Sequence, residues 1–339
     1  MPNPRPRGLS PKSRTRRPYG GLTLGLDLGA TKVRAVLVDR TGRVIRSSGR
    51  LAHSNDGPAN VIKAVVRAAR RCLPEGGDAL RGAGIAVAAQ VDPATGRVRH
   101  APNLRWKNVP LGRILTHELG VQVRVFNDAR AATYAEWTRG AGVGCEDLFC
   151  LVVGTGVGGS AVVGGRLLEG GTHAAGEVGH LPIVSGGRRC HCPGRGCFEA
   201  YVGGWAIAER AREAVRADPR AGRALLLKAR GMPGIRAETV FETADAGDPL
   251  ARRLVTETER YLGDGAVGVV NAFNPSLLIL AGGVITGRPE LVRGVARAVK
   301  QRCQPPAAGV RVVRARFGEL APALGAAALA SRPARSAWS

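Results

Sequence analysis

The sequence predicts an α/β protein of two similar domains with a cleft between them. Three observations carry this. Two strand–glycine turn–strand units, opening at Leu22 and Leu148, lie about 130 residues apart, as a duplicated domain would place them. Apolar runs of strand length alternate with helical stretches in both halves. Glycine accounts for 48 of 339 residues, which suits many tight turns and backbone-lined sites.

The first unit reads as a meander of hairpins. Leu22 to Leu28 is a strand, Gly29-Ala30-Thr31 a tight turn, and Val33 to Val38 a second strand. Thr41-Gly42 turns the chain into a third strand, Val44 to Ser48. Asn60 to Cys72 is a helix with Val61, Val65, Ala68 and Ala69 on one face. Gly82 to Asp92 reads as one buried strand, and Arg113 to Gly120 as a helix that Gly120 ends. The strand VQVRVFND runs straight into the helix ARAATYAEWTRG. The second unit repeats the opening: a strand Leu148 to Val153, the turn Gly154 to Gly159, an apolar run Ala161 to Val163 and a turn at Gly164-Gly165. Beyond the cysteine-rich segment, helices are expected at 204–230 and 249–271. A late strand, PSLLILAGGVI, then closes on Gly282-Gly283. These elements divide the chain into a basic arm (1–20), a small domain (21–128), a larger domain (129–317), a helix near 318–331 that completes the small domain, and a tail (332–339).

Composition narrows the function. No run of 18 apolar residues occurs, so no membrane span is expected. Net charge is +24, which raises nucleic acid as a partner. Yet only six of the 50 basic residues are Lys, the Arg are spread along the chain, and aromatics are not interleaved with them. The charge therefore points to anionic, phosphorylated ligands rather than to specific nucleic acid. The first 20 residues hold six basic and no acidic residues and five Pro, and lack an apolar core of the secretory kind. A cytoplasmic protein is expected. Seven cysteines, an odd number, do not suggest a disulfide scaffold.

The glycine turns carry chemistry. In DLGATK, Asp27 ends a strand beside a turn in which Thr31 and Lys32 can donate to phosphate oxygens; such a carboxylate suits hydrated Mg²⁺ with nucleotide phosphates. An ordinary hairpin with a solvated Asp is the competing reading. GTGVGG lies between two strands and opens no helix, which argues against a Rossmann site and for a hairpin that clasps phosphate, with Thr155 as donor. LAGGV offers bare backbone for an adenine or ribose. In FND, Asp128 sits where a strand meets a helix and is the candidate base for a hydroxyl proton, with Asn127 beside it; a helix N-cap is the alternative role for Asp128.

Cys190, Cys192 and Cys197 fall within eight residues, with His180 upstream. Three thiolates and one imidazole make a closed, structural zinc set. His191, between two of the cysteines, competes with His180 for the fourth position. If the GEVGH segment is helical, Glu177 and His180 share a face.

LDLGATK, VFNDARAA, GTGVGG, AAGEVGH, CHCPGRGCFE and LAGGV, in that order, resemble the ROK family of bacterial sugar kinases and sugar-responsive repressors, over about Leu22 to Gly325. The resemblance implies a two-domain actin-like (RNase-H-like) ATPase fold and an ATP-dependent hexose kinase, most simply a glucokinase. It implies Asp128 as catalytic base, and Asn103, Asn127, Glu177, His180 and Glu199 as ligands of sugar hydroxyls. Asp27 and Gly29, Ala30, Thr31 and Lys32 would handle Mg²⁺ and phosphates, opposite Gly154, Thr155, Gly156, Gly158 and Gly159. Gly282 and Gly283 would lie near the adenosine. His180, Cys190, Cys192 and Cys197 would hold zinc, and a homodimer is common in such proteins. An N-acetylhexosamine or promiscuous hexose kinase and a polyphosphate-using glucokinase are the neighbouring readings. A repressor is the reading of a different class, and the roughly 20 residues before the first strand are too few for its winged helix-turn-helix. Three positions depart from the family pattern: Ala30 and Pro193 where Gly is usual, and VAAQVD where Pro-Gly usually precedes Val-Asp.

Overall fold

A computed structural model describes residues 21–73 and 80–332. The basic arm and all of the tail but Arg332 lie outside the described residues.

The first five-stranded sheet begins with β1 (Thr23–Leu28), β2 (Lys32–Val38) and β3 (Val44–Ala52). α1 (Pro58–Cys72) leads to β4 (Gly82–Val87). A small three-stranded sheet of β5 (Gln90–Asp92), β6 (Arg97–Ala101) and β7 (Trp106–Val109) follows. α2 (Leu111–Leu119) then leads to β8 (Val123–Asn127), which continues directly into α3 (Asp128–Arg139). The strand order is β3-β2-β1-β4-β8, antiparallel through the meander and parallel from β1 to β4 to β8.

The second sheet opens with β9 (Leu148–Val153), β10 (Val157–Val163) and β11 (Arg166–Leu167). The helices α4 (Glu199–Val202), α5 (Gly204–Ala217), α6 (Arg223–Ala229), α7 (Ala237–Asp245) and α8 (Pro249–Phe273) come next. β12 (Leu277–Ala281), α9 (Pro289–Arg302), β13 (Arg311–Arg314) and α10 (Ala321–Ala330) complete the chain. The order is β11-β10-β9-β12-β13. Each sheet is thus built third-second-first-fourth-fifth, so the duplication read from the glycine turns is present in the strand order itself.

α3 and α10 fill the space between the sheets. One buried cluster joins Ala86 and Phe126 of the first sheet, Leu148, Cys150 and Ile279 of the second, and Ala326 and Leu329 of α10. The alanine-rich sequence of α10 permits this, because its backbone lies flush on its neighbours. A Cβ on Gly25 or Gly84 would run into the carbonyls of Ala323 or Ala326, and one on Gly325 into that of Ala131. Glu136, fully buried in α3, accepts amide hydrogens from Ala141 (3.0 Å), Arg316 (3.0 Å) and Phe317 (2.7 Å). Three aligned donors compensate the buried charge and tie α3 to the segment that enters α10.

Several expectations are corrected. The third strand runs on to Ala52. The strand expected over Gly82 to Asp92 ends at Val87, and Gln90–Asp92 pairs instead with β6. The helix expected over 204–230 is two helices: Asp218 precedes a proline, which disfavours the helical backbone, and its carboxylate caps the turn at Arg220 and Ala221. The strands β6, β7, β11 and β13 and the helices α4, α7 and α9 were not anticipated. Among the described residues no helix is long and apolar enough to cross a membrane.

Candidate active site

The carboxyl ends of β1 and β8 lie two strands apart on one edge of the first sheet, and they present Asp27 and Asp128. In the turn between β1 and β2, the Gly29 amide donates to the Lys32 carbonyl at 2.9 Å. Ala30 keeps a negative φ, so this turn needs no glycine there. His53, just beyond β3, supports the turn from behind: its amide bonds the Thr31 carbonyl (3.0 Å) and its Nε2 lies 3.0 Å from the Gly29 carbonyl. Thr31 and Lys32 are left exposed.

At the start of α3 the N-cap role belongs to Asn127, whose Oδ1 accepts from the Arg130 amide at 3.0 Å. The capping expected of Asp128 is thereby corrected, and that carboxylate accepts instead from the adjacent Ala129 amide (2.8 Å). Asn127 also donates through Nδ2 to the Ala89 carbonyl (3.3 Å), which among the described residues leaves it one hydrogen for a ligand.

The second sheet approaches here. A Cβ on Gly158 would sit 3.2 Å from that of Ala129, so the bare backbone of GTGVGG lets β10 meet the start of α3. Gly282, at φ 96, packs against the Val153 carbonyl, and the Val284 amide bonds that same carbonyl at 3.0 Å. The LAGG and GTG turns therefore abut. Beside Gly283 lies a cavity of about 150 Å³ lined by Ala237, Phe241, Val284, Thr286 and Arg288. Its α7 wall gave no signal in the sequence reading.

GEVGH forms a single 3₁₀ turn, Val178–His180. Gly176 and Gly179 press it onto β10, where any Cβ would strike the carbonyls of Gly159 and Val157. Glu177 and His180 consequently share a face, with Oε2 and Nε2 4.0 Å apart. Glu199 opens α4, and its two oxygens accept from the Val157 amide (2.8 Å) and the Trp205 indole (3.1 Å). Asn103 lies in an exposed turn, Pro102–Leu104; its carbonyl accepts from Asn55, and among the described residues its side-chain amide has no hydrogen-bond partner.

The ligand atoms of His180, Cys190, Cys192 and Cys197 all lie within 4.8 Å of one another. Cys190 Sγ is 3.8 Å from His180 Nδ1, and Cys192 Sγ is 3.6 Å from Cys197 Sγ. A zinc tetrahedron with legs of about 2.3 Å has edges of roughly 3.8 Å, so the set fits that ion. The sulfur separation is too long for a disulfide. His191 turns away and stacks on Trp205, with ring centroids 3.9 Å apart and planes at 22°. Geometry thus favours His180 as the fourth donor through Nδ1, with Nε2 directed toward Glu177.

A string of negative charge runs through the site. Burial, then the charge of Asp128, pushes Asp27 up to about 7. Burial, reinforced by the charge of Glu177, raises Asp128 above the usual carboxylate range. In a chain of net charge +24, this pocket is a local acidic well suited to a divalent cation. Asp27 also carries a stability cost. Its pKa is higher folded than unfolded, so the unfolded chain releases the proton first as pH rises, and without Mg²⁺ stability falls between about pH 4 and pH 7. Asp27→Asn is expected to remove this slope and to gain stability over the wild type at pH 8, by at most about 4 kcal/mol. Urea unfolding of both proteins at pH 5 and pH 8 measures it; equal slopes would refute the assignment.

Two sheets of identical order, joined by α3 and α10 and lined with glycine turns, define an actin-like ATPase fold, and carboxylates beside such turns define a phosphotransferase site. The chain belongs to the ROK family, which matches residues 23–333. A glucokinase from Streptomyces coelicolor is 31% identical over 319 residues, 92% of this chain and 98% of that protein. A xylose repressor from Bacillus spizizenii is 24% identical, over 90% of this chain and 76% of the repressor. A ROK family glucokinase from Streptomyces griseus, solved in complex with glucose and AMPPNP, has a TM-score of 0.81 at 32% identity and covers 91% of this chain and 99% of its own.

Proposed function

We propose that this chain is an ATP-dependent hexose kinase that converts glucose to glucose 6-phosphate. The observation that carries the reading is Asp128: a carboxylate at the meeting point of the two sheets, relieved of capping by Asn127 and held at a raised pKa. The similarity to glucokinases over nearly their whole length supports it.

In this reading, Asp128 accepts the proton of the attacking sugar hydroxyl as the new O–P bond forms and the bond to the β-phosphate oxygen breaks, releasing ADP. Asn103, Glu177, His180 Nε2 and the remaining hydrogen of Asn127 orient the sugar. Glu199 joins this pocket to the phosphate side. Thr31 and Lys32 face the phosphates from one side and Gly154 to Gly159 from the other, with the adenosine over Gly282 and Gly283. Asp27 would hold Mg²⁺, which when bound would neutralise charge on the phosphates. His180, Cys190, Cys192 and Cys197 hold a zinc ion that fixes the loop between Glu177 and Glu199. Residues 21–128 with 318–331 form one domain and 129–317 the other, and closure about α3 and α10 excludes water.

The test follows ADP release with ATP and Mg²⁺ across a panel of hexoses and N-acetylhexosamines, with a parallel arm that replaces ATP by polyphosphate. Turnover is expected on glucose with ATP. Absence of turnover on every sugar would sink the reading, and turnover with polyphosphate alone would replace the donor.

A further inference from the structure

Trp205 and His191 are not ligands in the reading above, yet they lie between the two halves of the site. The His191 ring, flanked in sequence by Cys190 and Cys192, stacks face to face on the Trp205 indole. The other side of Trp205 is bound to the phosphate-side turn. Its amide donates to the Thr155 carbonyl at 3.2 Å, and the preceding Gly204 amide donates to the Gly154 carbonyl at 2.9 Å. Its indole N–H donates to Glu199, whose second oxygen fixes the Val157 amide. Gly203 and Gly156 make the close approach feasible: a Cβ on Gly203 would sit 2.9 Å from the Glu199 carbonyl, and one on Gly156 would collide with the Glu199 carboxylate. Two routes therefore run from the cysteine cluster to the GTGVGG backbone, one through His191 and Trp205, the other through Cys197 and Glu199.

We propose that Trp205 is a positioning residue that couples the cysteine clasp to the nucleotide turn, so that metal loss from the clasp weakens ATP binding as well as sugar binding. The physical reason is local. Val157 and its neighbours must present fixed backbone to the phosphates, and their fixed acceptor is Glu199. Glu199 holds its orientation through a hydrogen bond from an indole that the clasp in turn holds by stacking. A hydrogen bond to a charged acceptor is among the stronger ones in a protein, so its loss is large enough to read in affinity. Trp205 touches neither substrate in this scheme. The inference rests on the kinase reading for what the turn binds, and on the cysteine geometry for what the clasp holds.

The experiment uses the full-length protein loaded with zinc, and compares wild type, Trp205→Phe, which keeps a ring but removes the N–H, and His191→Ala, which removes the stack but no ligand. Titration calorimetry gives Kd for ATP with Mg²⁺ and for glucose, metal analysis gives the zinc content, and intrinsic fluorescence follows chelation. Trp205→Phe is expected to retain its zinc and to bind ATP about 10-fold more weakly, and His191→Ala about 3-fold more weakly. Chelation of the wild type is expected to weaken ATP binding and to change the tryptophan fluorescence, and the fluorescence change is expected to vanish in Trp205→Phe. Unchanged ATP affinity in Trp205→Phe or in chelated wild type, or a chelation signal that persists in Trp205→Phe, would overturn the proposal. A wild type that binds ATP but phosphorylates no hexose removes the kinase reading and leaves this comparison decisive on its own.

Discussion

Asp128→Asn is expected to lower kcat by about 10²–10⁴-fold, the range general-base catalysis supplies, while ATP affinity changes little. The substitution is nearly isosteric and removes only the ability to accept a proton. It spares the helix start, because Asn127 is the residue that caps the Arg130 amide. The bond that Asp128 accepts from the Ala129 amide at 2.8 Å survives through the Asn oxygen. The pH profile supplies an independent signature. Below its pKa Asp128 is protonated and cannot accept the hydroxyl proton, so the rate must fall on the acidic side. Because burial and the charge of Glu177 raise that pKa, the acidic limb of kcat/KM should lie above the ordinary carboxylate value of 3.8. Steady-state ADP release from pH 4.5 to pH 9, in wild type and variant, tests both statements. A variant that keeps more than a tenth of the wild-type kcat would show that Asp128 is not the base.

The same residue shows where sequence reading reached its limit. An Asn-Asp pair at a strand–helix junction announces a cap and a carboxylate, but not which residue is which. The assignment follows from backbone geometry: Asn127 is in extended conformation just outside the helix, with φ −66 and ψ 140, and Asp128 is already inside it. The spacing of Cys190, Cys192 and Cys197 was legible because ligands so close in sequence need little help from the fold. Their fourth donor was not, because the choice between His180 and His191 depends on Trp205, which takes up the His191 ring. The duplicated meanders were legible from alternating apolar residues and glycine turns. The strands β6 and β7 were not: they are short, and most of their positions point to solvent, as in RVRHA and WKNV. His53 left no trace in local pattern, since its role exists only once β3 pairs along the whole of β2. What the sequence withheld was backbone geometry and pairing rather than residue type.

Removal of metal from the cysteine clasp is expected to raise the Kd for glucose by at least about 100-fold, or roughly 2.7 kcal/mol. The segment from Pro182 to Gly196 contains no helix or strand, only two isolated bridges, Pro182 with Cys197 and Arg189 with Arg195. About half of its residues are exposed, and its core contacts are the partly buried Ile183, Val184 and Cys190, so hydrophobic burial fixes it only weakly. Its geometry then depends on the closed ligand set, much as small zinc modules order only when loaded. Groups of the site sit at its two ends: Glu177 and His180, which face the sugar, before it, and Glu199, which joins the sugar pocket to the phosphate side, just after Cys197. His180 would also lose the bond that fixes which nitrogen faces the pocket. Most of the protein should be indifferent, because the core of the first sheet and the cluster between the sheets do not include the loop, which meets the remaining core of the second sheet through Cys197 and the partly buried Ile183, Val184 and Cys190. The expected pattern is therefore a large loss of sugar affinity with a small shift of the global unfolding midpoint, reversed by added Zn²⁺. Calorimetric titration of glucose before chelation, after it and after reloading decides the matter. A chelated protein that binds glucose as tightly as the loaded one would mean that the loop is held by its own packing and that the cysteines serve some other end.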